Sequence, residues 1–253
     1  MERRGAAAGA PGRGGGGDQP ALSRGVPADH RSRAGGRLIR TAPEGRWFIV
    51  GAWAIAVVLI VLAARSGSAG WWMGAVLWTA LAIWVVAFFR DPERSWALGD
   101  RNIVAPADGK VVSVIETDEP AFHGGRALRI SIFMNVFDCH VNRYPVSGTV
   151  AYRHYNSGKF GHAAAEKSSL ANEQSSVGVA AARGKVLIRQ IAGLVARRIV
   201  TDHQVGTEVH QGDRLGMIRF GSRVDLFLPV GTCALVHTGD TTRAGVTVVA
   251  EWS

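Results

Sequence analysis

The hydrophobic positions of this chain follow two patterns. Between Trp47 and Phe89 they run on almost without interruption: WFIVGAWAIAVVLIVLAA over 47–64, a polar RSGSAG, then WWMGAVLWTALAIWVVAFF over 71–89. Each run has close to the roughly 20 residues that cross a hydrocarbon core as a helix. Tryptophans at the run ends suit the membrane–water boundary. The pattern therefore predicts two transmembrane helices over 47–89, joined as a hairpin. A secretory signal fits badly, because a long segment precedes the first run and the second follows almost at once. A hairpin buried in a soluble core is the competing reading.

From about Ile103 the pattern changes to short apolar stretches cut by glycine-containing turns: KVVSVI, ALRISIFM, GTVAYRHY, KVLIRQIAG, DLFLPV and GVTVVAEW. Stretches of this length, bounded by turn residues, predict strands. The expected fold class is mainly β (α+β), with the N-terminal transmembrane helical hairpin followed by a β-rich, sandwich- or barrel-like domain over 90–253. Short helices are expected at His162–Leu170 and Leu194–Ile199, and no tandem repeat at a fixed period is evident. The odd stretch is IRFGSRVDLFLP, residues 218–229, where Gly221 interrupts an alternation that continues through Val224, Leu226 and Leu228. Glycine inside a strand marks a bulge or a close backbone approach.

Charge sharpens the reading of the N-terminus. Residues 1–46 are rich in Gly, Ala, Pro and Arg and cannot bury enough surface to offset their chain entropy, so a disordered basic tail is expected. The tail holds nine arginines against four acidic residues, about half of the excess behind a formal charge of +9. Beside an apolar hairpin that charge attracts anionic headgroups and favours a cytoplasmic N-terminus. Two crossings return the chain to the same side, so the expected location is the inner cell membrane with the 90–253 domain in the cytoplasm. No RNP-type aromatic motif, zinc-finger spacing or recognition helix accompanies the charge, which argues against nucleic acid. Cys139 and Cys233 form neither a CxxC nor a metal-ligand array and read as small, partly buried thiols. His123, His203, His210 and His237 lack zinc-ligand spacing, so no metal is expected.

Three stretches carry candidate chemistry: APADGKV around Asp108, FMNVFDCHVNRYPVSG around His140, and RFGSRVD around Ser222. Each alone has a plain structural reading, as a turn, a satisfied histidine and a bulge. In this order, behind a hairpin ending in FFRDPER and with YNSGKF and KSSLANE between the second and third, they resemble the phosphatidylserine decarboxylase family, in particular its short-chain bacterial branch. The resemblance runs from about Phe88 to Pro229. It implies a proenzyme that cuts itself between Gly221 and Ser222, leaving a long chain, Met1–Gly221, and a short one, 222–253, whose first residue has become a pyruvoyl group. That group, derived from Ser222, is the implied cofactor. It condenses with the amine of phosphatidylserine as a Schiff base and accepts electrons during decarboxylation to phosphatidylethanolamine. The implied partners are phosphatidylserine in the membrane and the two chains of one proenzyme, with room for a homo-oligomer.

Within the resemblance, Ser222 Oγ attacks the Gly221 carbonyl, His140 is the base, and Asp108 orients or charges it. Glycine before the serine removes a Cβ from the path of attack. His140 is also the candidate proton donor during decarboxylation. The chain departs from longer members at Arg143, where they carry a second histidine, and at Arg223, where they carry threonine. His154 and His162 are the candidate substitutes for that histidine. Asn172 and Glu173, in the ANE segment, read as a capped turn or as support for the site. The competing function is a membrane-anchored lipoyl- or biotinyl-like β carrier, suggested by VGTEVHQGDRLGMIRFGS. A carrier needs a modifiable lysine at a hairpin tip, and the last lysine of the chain is Lys185.

Overall fold

A computed structural model describes residues 40–94, 99–158, 172–193, 198–219 and 222–253. The expected tail up to residue 39 and the helix expected at 162–170 lie outside the described residues. The two apolar runs form α1 (Arg46–Ser66) and α2 (Ala69–Phe88). Gly67 makes the reversal between them: at φ 62° it caps α1 with its N–H on the Ala63 carbonyl at 3.0 Å. Residues with a Cβ adopt that left-handed conformation only at a cost. The helices meet through alanines. Ala56 and Ala63 of α1 and Ala75 and Ala82 of α2 are buried, whereas Val57, Val58, Met73, Val76 and Leu77 are exposed. Small residues let two backbones approach, and Trp78 Nε1 donates to the Ala52 carbonyl at 2.9 Å across the pair. With large apolar side chains outside and alanines inside, the pattern is the reverse of a helix packed on a water-soluble core.

Residues 40–45, the end of the expected tail, are folded onto the hairpin base. Thr41 bridges to Arg90, the Ala42 N–H donates to the Phe89 carbonyl at 2.7 Å, and Pro43–Gly45 forms a single 3-10 turn. Gly45 lies so close under Phe89 that an added Cβ would meet the ring, and Arg214 Nη2 donates to Glu44 Oε1 at 2.7 Å from the β domain.

Beyond the hairpin, fourteen strands among the described residues form three antiparallel sheets. The largest, curved as a half-barrel, runs in spatial order β13 (Thr241–Thr242), β2 (Gly109–Glu119), β3 (Gly125–Met134), β11 (Ser222–Pro229), β7 (Gly184–Ala192), β6 (Gln174–Ala181), β5 (Gly148–Asn156) and β9 (Glu208–Val209). One small sheet is β1 (Asn102–Val104), β14 (Val248–Glu251) and β12 (Cys233–Ala234). The other is β4 (Val141–Arg143), β10 (Arg214–Ile218) and β8 (Ile199–Thr201). A single apolar core joins all three: Ile130, Ile132, Val177, Ile188 and Leu226 of the large sheet pack with Ile103 and Val249 of one small sheet and with Leu215 and Ile218 of the other. The mainly β architecture agrees with expectation.

Three local differences are informative. Ile199, expected to end a helix, opens β8, and residues 194–197 lie outside the described residues. Strand β6 was not expected, because QSSVGVAA is poor in large β-formers. One of its small residues is set by packing, since a Cβ on Gly178 would come within 2.8 Å of the Phe122 ring. Most important, 218–229 is not one strand interrupted by glycine. Strand β10 ends at Ile218 in a small sheet and β11 begins at Ser222 in the large one, with Phe220 and Gly221 outside the described residues. Ser222 therefore opens a strand in a different sheet from the one in which β10 ends.

Strand β11 is central and buried along nearly its whole length. By strand alternation Arg223 and Asp225 share the face opposite Val224 and Leu226. The two charges satisfy each other, with Arg223 Nη2 donating to Asp225 Oδ2 at 3.0 Å and Nε in charge contact with Oδ1 at 2.9 Å. Removing one member of such a buried pair leaves the other charge dry and uncompensated. Arg223→Leu alone is expected to lower the unfolding free energy by about 3–5 kcal/mol, because the buried Asp225 carboxylate then loses its guanidinium, and adding Asp225→Leu should recover most of it, as read from urea denaturation.

Candidate active site

Ser222 is fully buried at the first position of β11, in register with Met134 of β3 and Ala192 of β7. Its Oγ donates to Met134 Sδ at 3.4 Å, its one hydrogen bond among the described residues. A thioether is a weak acceptor, so the hydroxyl is held dry without being tied to a strong partner. The same sulfur meets Asn142 Nδ2 at 3.6 Å. Asn142 Oδ1 accepts from Gln190 Nε2 at 2.8 Å, and Gln190 Oε1 accepts from Thr201 Oγ1 at 3.1 Å. Thr201 Oγ1 in turn lies 2.9 Å from Ser175 Oγ. This polar row crosses the core and ends at the serine. With its oxygen held by Gln190, the Asn142 amide turns its N–H₂ end toward Met134.

His140, also fully buried, precedes β4. Its Nδ1 lies 3.0 Å from the Asp138 carbonyl, which can only accept, so Nδ1 carries the hydrogen and Nε2 the lone pair. Nε2 has no hydrogen-bond partner among the described residues. The Phe88 ring packs on the imidazole with centroids 4.3 Å apart. Burial pushes the His140 pKa from 6.5 down to about 4, opposed by the Asp138 carbonyl, assisted by the Arg90 charge and opposed by that of Asp108. The imidazole is therefore neutral near pH 7, with a free lone pair. Its backbone carbonyl accepts from the Ile218 N–H at 3.4 Å, which ties His140 to the strand end four residues before Ser222.

Asp108 does not orient the imidazole directly. Its carboxylate takes Arg94 Nη1 at 2.5 Å and Nη2 at 2.8 Å, together with the Ala244 N–H at 2.8 Å. It makes no hydrogen bond to His140, so the Ser-His-Asp chain of contacts is not formed. The Asp138 carbonyl and the Phe88 ring orient the imidazole instead, and Asp108 reaches it only through its charge. Gly221 lies outside the described residues.

Arg143, in the position of the second histidine, is a clamp. Nη2 donates to Asp91 Oδ1 at 2.6 Å and Nη1 to the Gly212 carbonyl at 3.1 Å, tying the segment after α2 to β4. A guanidinium does not act as a base. His154 is exposed on β5, which β6 and β7 separate from β11, and His162 lies outside the described residues. Asn172 and Glu173 support the site: Asn172 Nδ2 donates to the Ala192 carbonyl at 2.8 Å, and the Glu173 carbonyl accepts from the Ala192 N–H at 2.9 Å. They fix the residue that pairs with Ser222. Cys139 is buried, as expected, but Cys233 is exposed. Among the described residues no group of three or more His, Cys, Asp or Glu could hold a metal ion. The carrier-like stretch is divided, with β9 in the large sheet and β10 in a small one.

Sequence reasoning missed Met134, Asn142, Gln190, Arg94 and Phe88. Asn142 carried a usable signal, because a two-residue spacing from His140 in a strand-like stretch puts both on one face. Gln190 carried one too, as a polar residue inside the apolar run KVLIRQIAG.

Fold and site define a mainly β protein on an apolar helical hairpin, with a dry serine at the head of a central strand and a neutral histidine at the hairpin foot. The family profile described as Phosphatidylserine decarboxylase matches residues 81–250. The chain is 46% identical over 211 residues to a phosphatidylserine decarboxylase proenzyme of Symbiobacterium thermophilum, covering 83% of this chain and 94% of the relative. It is 44% identical over 214 residues to one of Ruegeria pomeroyi, with the same coverage. A third, from Rickettsia africae, is 44% identical over 173 residues, 67% of this chain and 75% of the relative. The chain belongs to the phosphatidylserine decarboxylase family.

The depressed His140 pKa makes stability depend on pH. As pH falls below 6.5 the unfolded chain takes up this proton first, so the contribution of neutral His140 is complete above pH 6.5 and is lost on the way down to about 4. A shift of that size is worth on the order of 3 kcal/mol. Urea midpoints of the wild type should therefore fall relative to His140→Gln across that pH window and run parallel above it.

Proposed function

We propose that this chain is a phosphatidylserine decarboxylase, a carboxy-lyase, that cuts itself between Gly221 and Ser222 and is held in the inner membrane by α1 and α2 with its β domain on the cytoplasmic side. The observation that carries the reading is the dry, weakly bonded Ser222 hydroxyl at the start of β11, in a chain closely similar to named decarboxylase proenzymes.

In the self-cleavage, Ser222 Oγ attacks the Gly221 carbonyl carbon and its proton passes to the lone pair on His140 Nε2. The C–N bond then breaks, the released amine takes the proton back, and the peptide has become an ester. Loss of the Ser222 Cα proton with breakage of the Cβ–Oγ bond frees the Gly221 carboxylate. Addition of water and departure of ammonia leave a carbonyl at residue 222. A neutral base is needed at the first step, and burial keeps His140 in that form at physiological pH.

The surroundings of Ser222 suit a pyruvoyl group. The site is dry, its walls at Met134 and Ala192 are uncharged, and the Asn142 N–H₂ offers a donor beside them. When formed, the pyruvoyl carbonyl supplies an electron sink for loss of the substrate carboxylate. His140 Nε2 is then the group that moves a proton at the reacting carbon. Asp108 acts at one remove, as a negative charge that stabilises the imidazolium and as the holder of Arg94. Anchoring has a direct use, because the acyl chains of the substrate stay in the bilayer and the site meets its headgroup at high local concentration.

Intact mass of the purified protein tests the reading. The wild type is expected as two chains, one ending at Gly221 and one beginning with a blocked residue 222. Ser222→Ala should remain a single chain of 26.9 kDa. His140→Ala should slow cleavage by about 10²-fold or more. A folded wild type that stays uncut rejects the proenzyme reading, and complete cleavage without release of CO₂ from phosphatidylserine vesicles rejects the substrate.

A further inference from the structure

The loop 135–138, between β3 and β4, has an unusual construction. It is closed by its own polar ends: the Asn135 N–H donates to Asp138 Oδ2 at 2.8 Å, the Phe137 N–H to Asn135 Oδ1 at 2.8 Å, and the Asp138 N–H to the Asn135 carbonyl at 3.0 Å. Those bonds fix the turn without any contribution from its two apolar side chains. Yet Val136 and Phe137 stand at its tip, and Phe137 is 71% exposed. An aromatic ring in water, on a turn that does not need it, calls for a different occupant of the space around it.

The position of the tip identifies that occupant. Arg90, at the end of α2, donates from Nη2 to the Phe137 carbonyl at 2.8 Å, and the Cys139 thiol donates to the Arg90 carbonyl at 3.3 Å. The loop is thus fastened to the last turn of the apolar hairpin. At the same end, Phe48 stacks on Phe89 with ring centroids 5.5 Å apart, and Trp47 is 85% exposed. Trp47 and Phe48 at the start of α1, Val136 and Phe137 on the loop, and the cations Arg46 and Arg90 all belong to this end of the hairpin. Aromatic rings with adjacent cations are the composition favoured where hydrocarbon meets anionic headgroups.

We propose that the 135–138 loop is a second membrane contact, inserting Val136 and Phe137 into the headgroup–acyl boundary of an anionic bilayer beside the foot of α2. The inference rests on the membrane reading of the hairpin given above. Its consequence is positional: His140 follows the loop by two residues and packs on Phe88, so the inserted tip holds the imidazole at the depth of a lipid headgroup. The loop sets access to bilayer-embedded substrate and takes no part in the bond chemistry.

The test uses the full-length protein reconstituted in phosphatidylglycerol/phosphatidylcholine vesicles. Phe137→Cys in a Cys233→Ser background is labelled with an environment-sensitive fluorophore. Cys139 does not compete, since burial shields it and pushes its thiol pKa up. The expected result is blue-shifted emission, quenched by spin labels on the lipid chains and protected from aqueous iodide. Water-like emission open to iodide overturns the proposal, and this readout requires no enzymatic activity. In parallel, Phe137→Asp should self-cleave normally and keep its kcat/KM on monomeric short-chain phosphatidylserine. On phosphatidylserine in vesicles it should lose roughly tenfold, and Phe137→Leu should restore most of that. Equal loss on both substrates, or no loss in vesicles, also overturns it. A wild type inactive on both substrates counts against the decarboxylase reading instead and leaves the fluorescence result to decide the membrane contact.

Discussion

The packing of the Phe88 ring on His140 is the contact on which the rest of the arrangement depends. It is part of the burial that takes the imidazole out of water and so keeps it neutral. It also sets one face of the ring while the Asp138 carbonyl sets the tautomer, leaving a lone pair free on Nε2. Because Phe88 ends the second apolar helix, the same contact fixes how far the site lies from the hairpin. The surrounding base is built to hold that spacing. The Thr41–Arg90 bridge, the Arg214–Glu44 ion pair and the Arg143 clamp on Asp91 each join the hairpin, or the segments flanking it, into one rigid foot on the β domain.

A second constraint lies inside the β domain. Buried amides and hydroxyls are tolerated only when they satisfy one another, and the row from Ser175 through Thr201, Gln190 and Asn142 does so until it reaches Met134. There it ends on a sulfur that also takes the Ser222 hydroxyl. The strongest acceptors are used up before the serine is reached. This explains how a hydroxyl can be buried, directed and still chemically available.

Much of the architecture was legible in the chain because its signals were long or repeated. The apolar runs gave the hairpin within a few residues, and the alternating segments around Val111, Ile130 and Ile188 gave three core strands. The alternation over 218–229 reads as one strand broken at Gly221, because a local pattern does not show that β10 and β11 belong to different sheets. Strand β6 is hard to read because its serines, alanines and glycine score poorly as strand formers, and only the glycine at 178 is explained by close packing under Phe122. At the site, the ordered set of motifs points to Ser222 and His140, and of the two roles considered for Asp108, orienting the imidazole or charging it, its contacts leave the second. A carboxylate near a histidine in a motif says nothing of an arginine fourteen positions earlier that claims both its oxygens. Arg143 likewise reads as a replacement for a histidine, whereas in space it is a fastener for the segment that leaves the hairpin.

The central position of β11 bears on what a break at its first residue does to the molecule. A chain beginning at residue 222 carries β11 into the middle of the large sheet, with eight register positions against β3 and six against β7. It also contributes β13 at one edge of that sheet and both β12 and β14 to a small one. A cut there would turn one folded chain into two interlocked chains that share sheets and core. Their cohesion then obeys mass action, so dilution becomes a denaturing variable only once unfolding has begun. The new chain end is freed from its neighbour while its backbone stays in register, which lets a covalent rearrangement take place at the centre of a fold without loosening it.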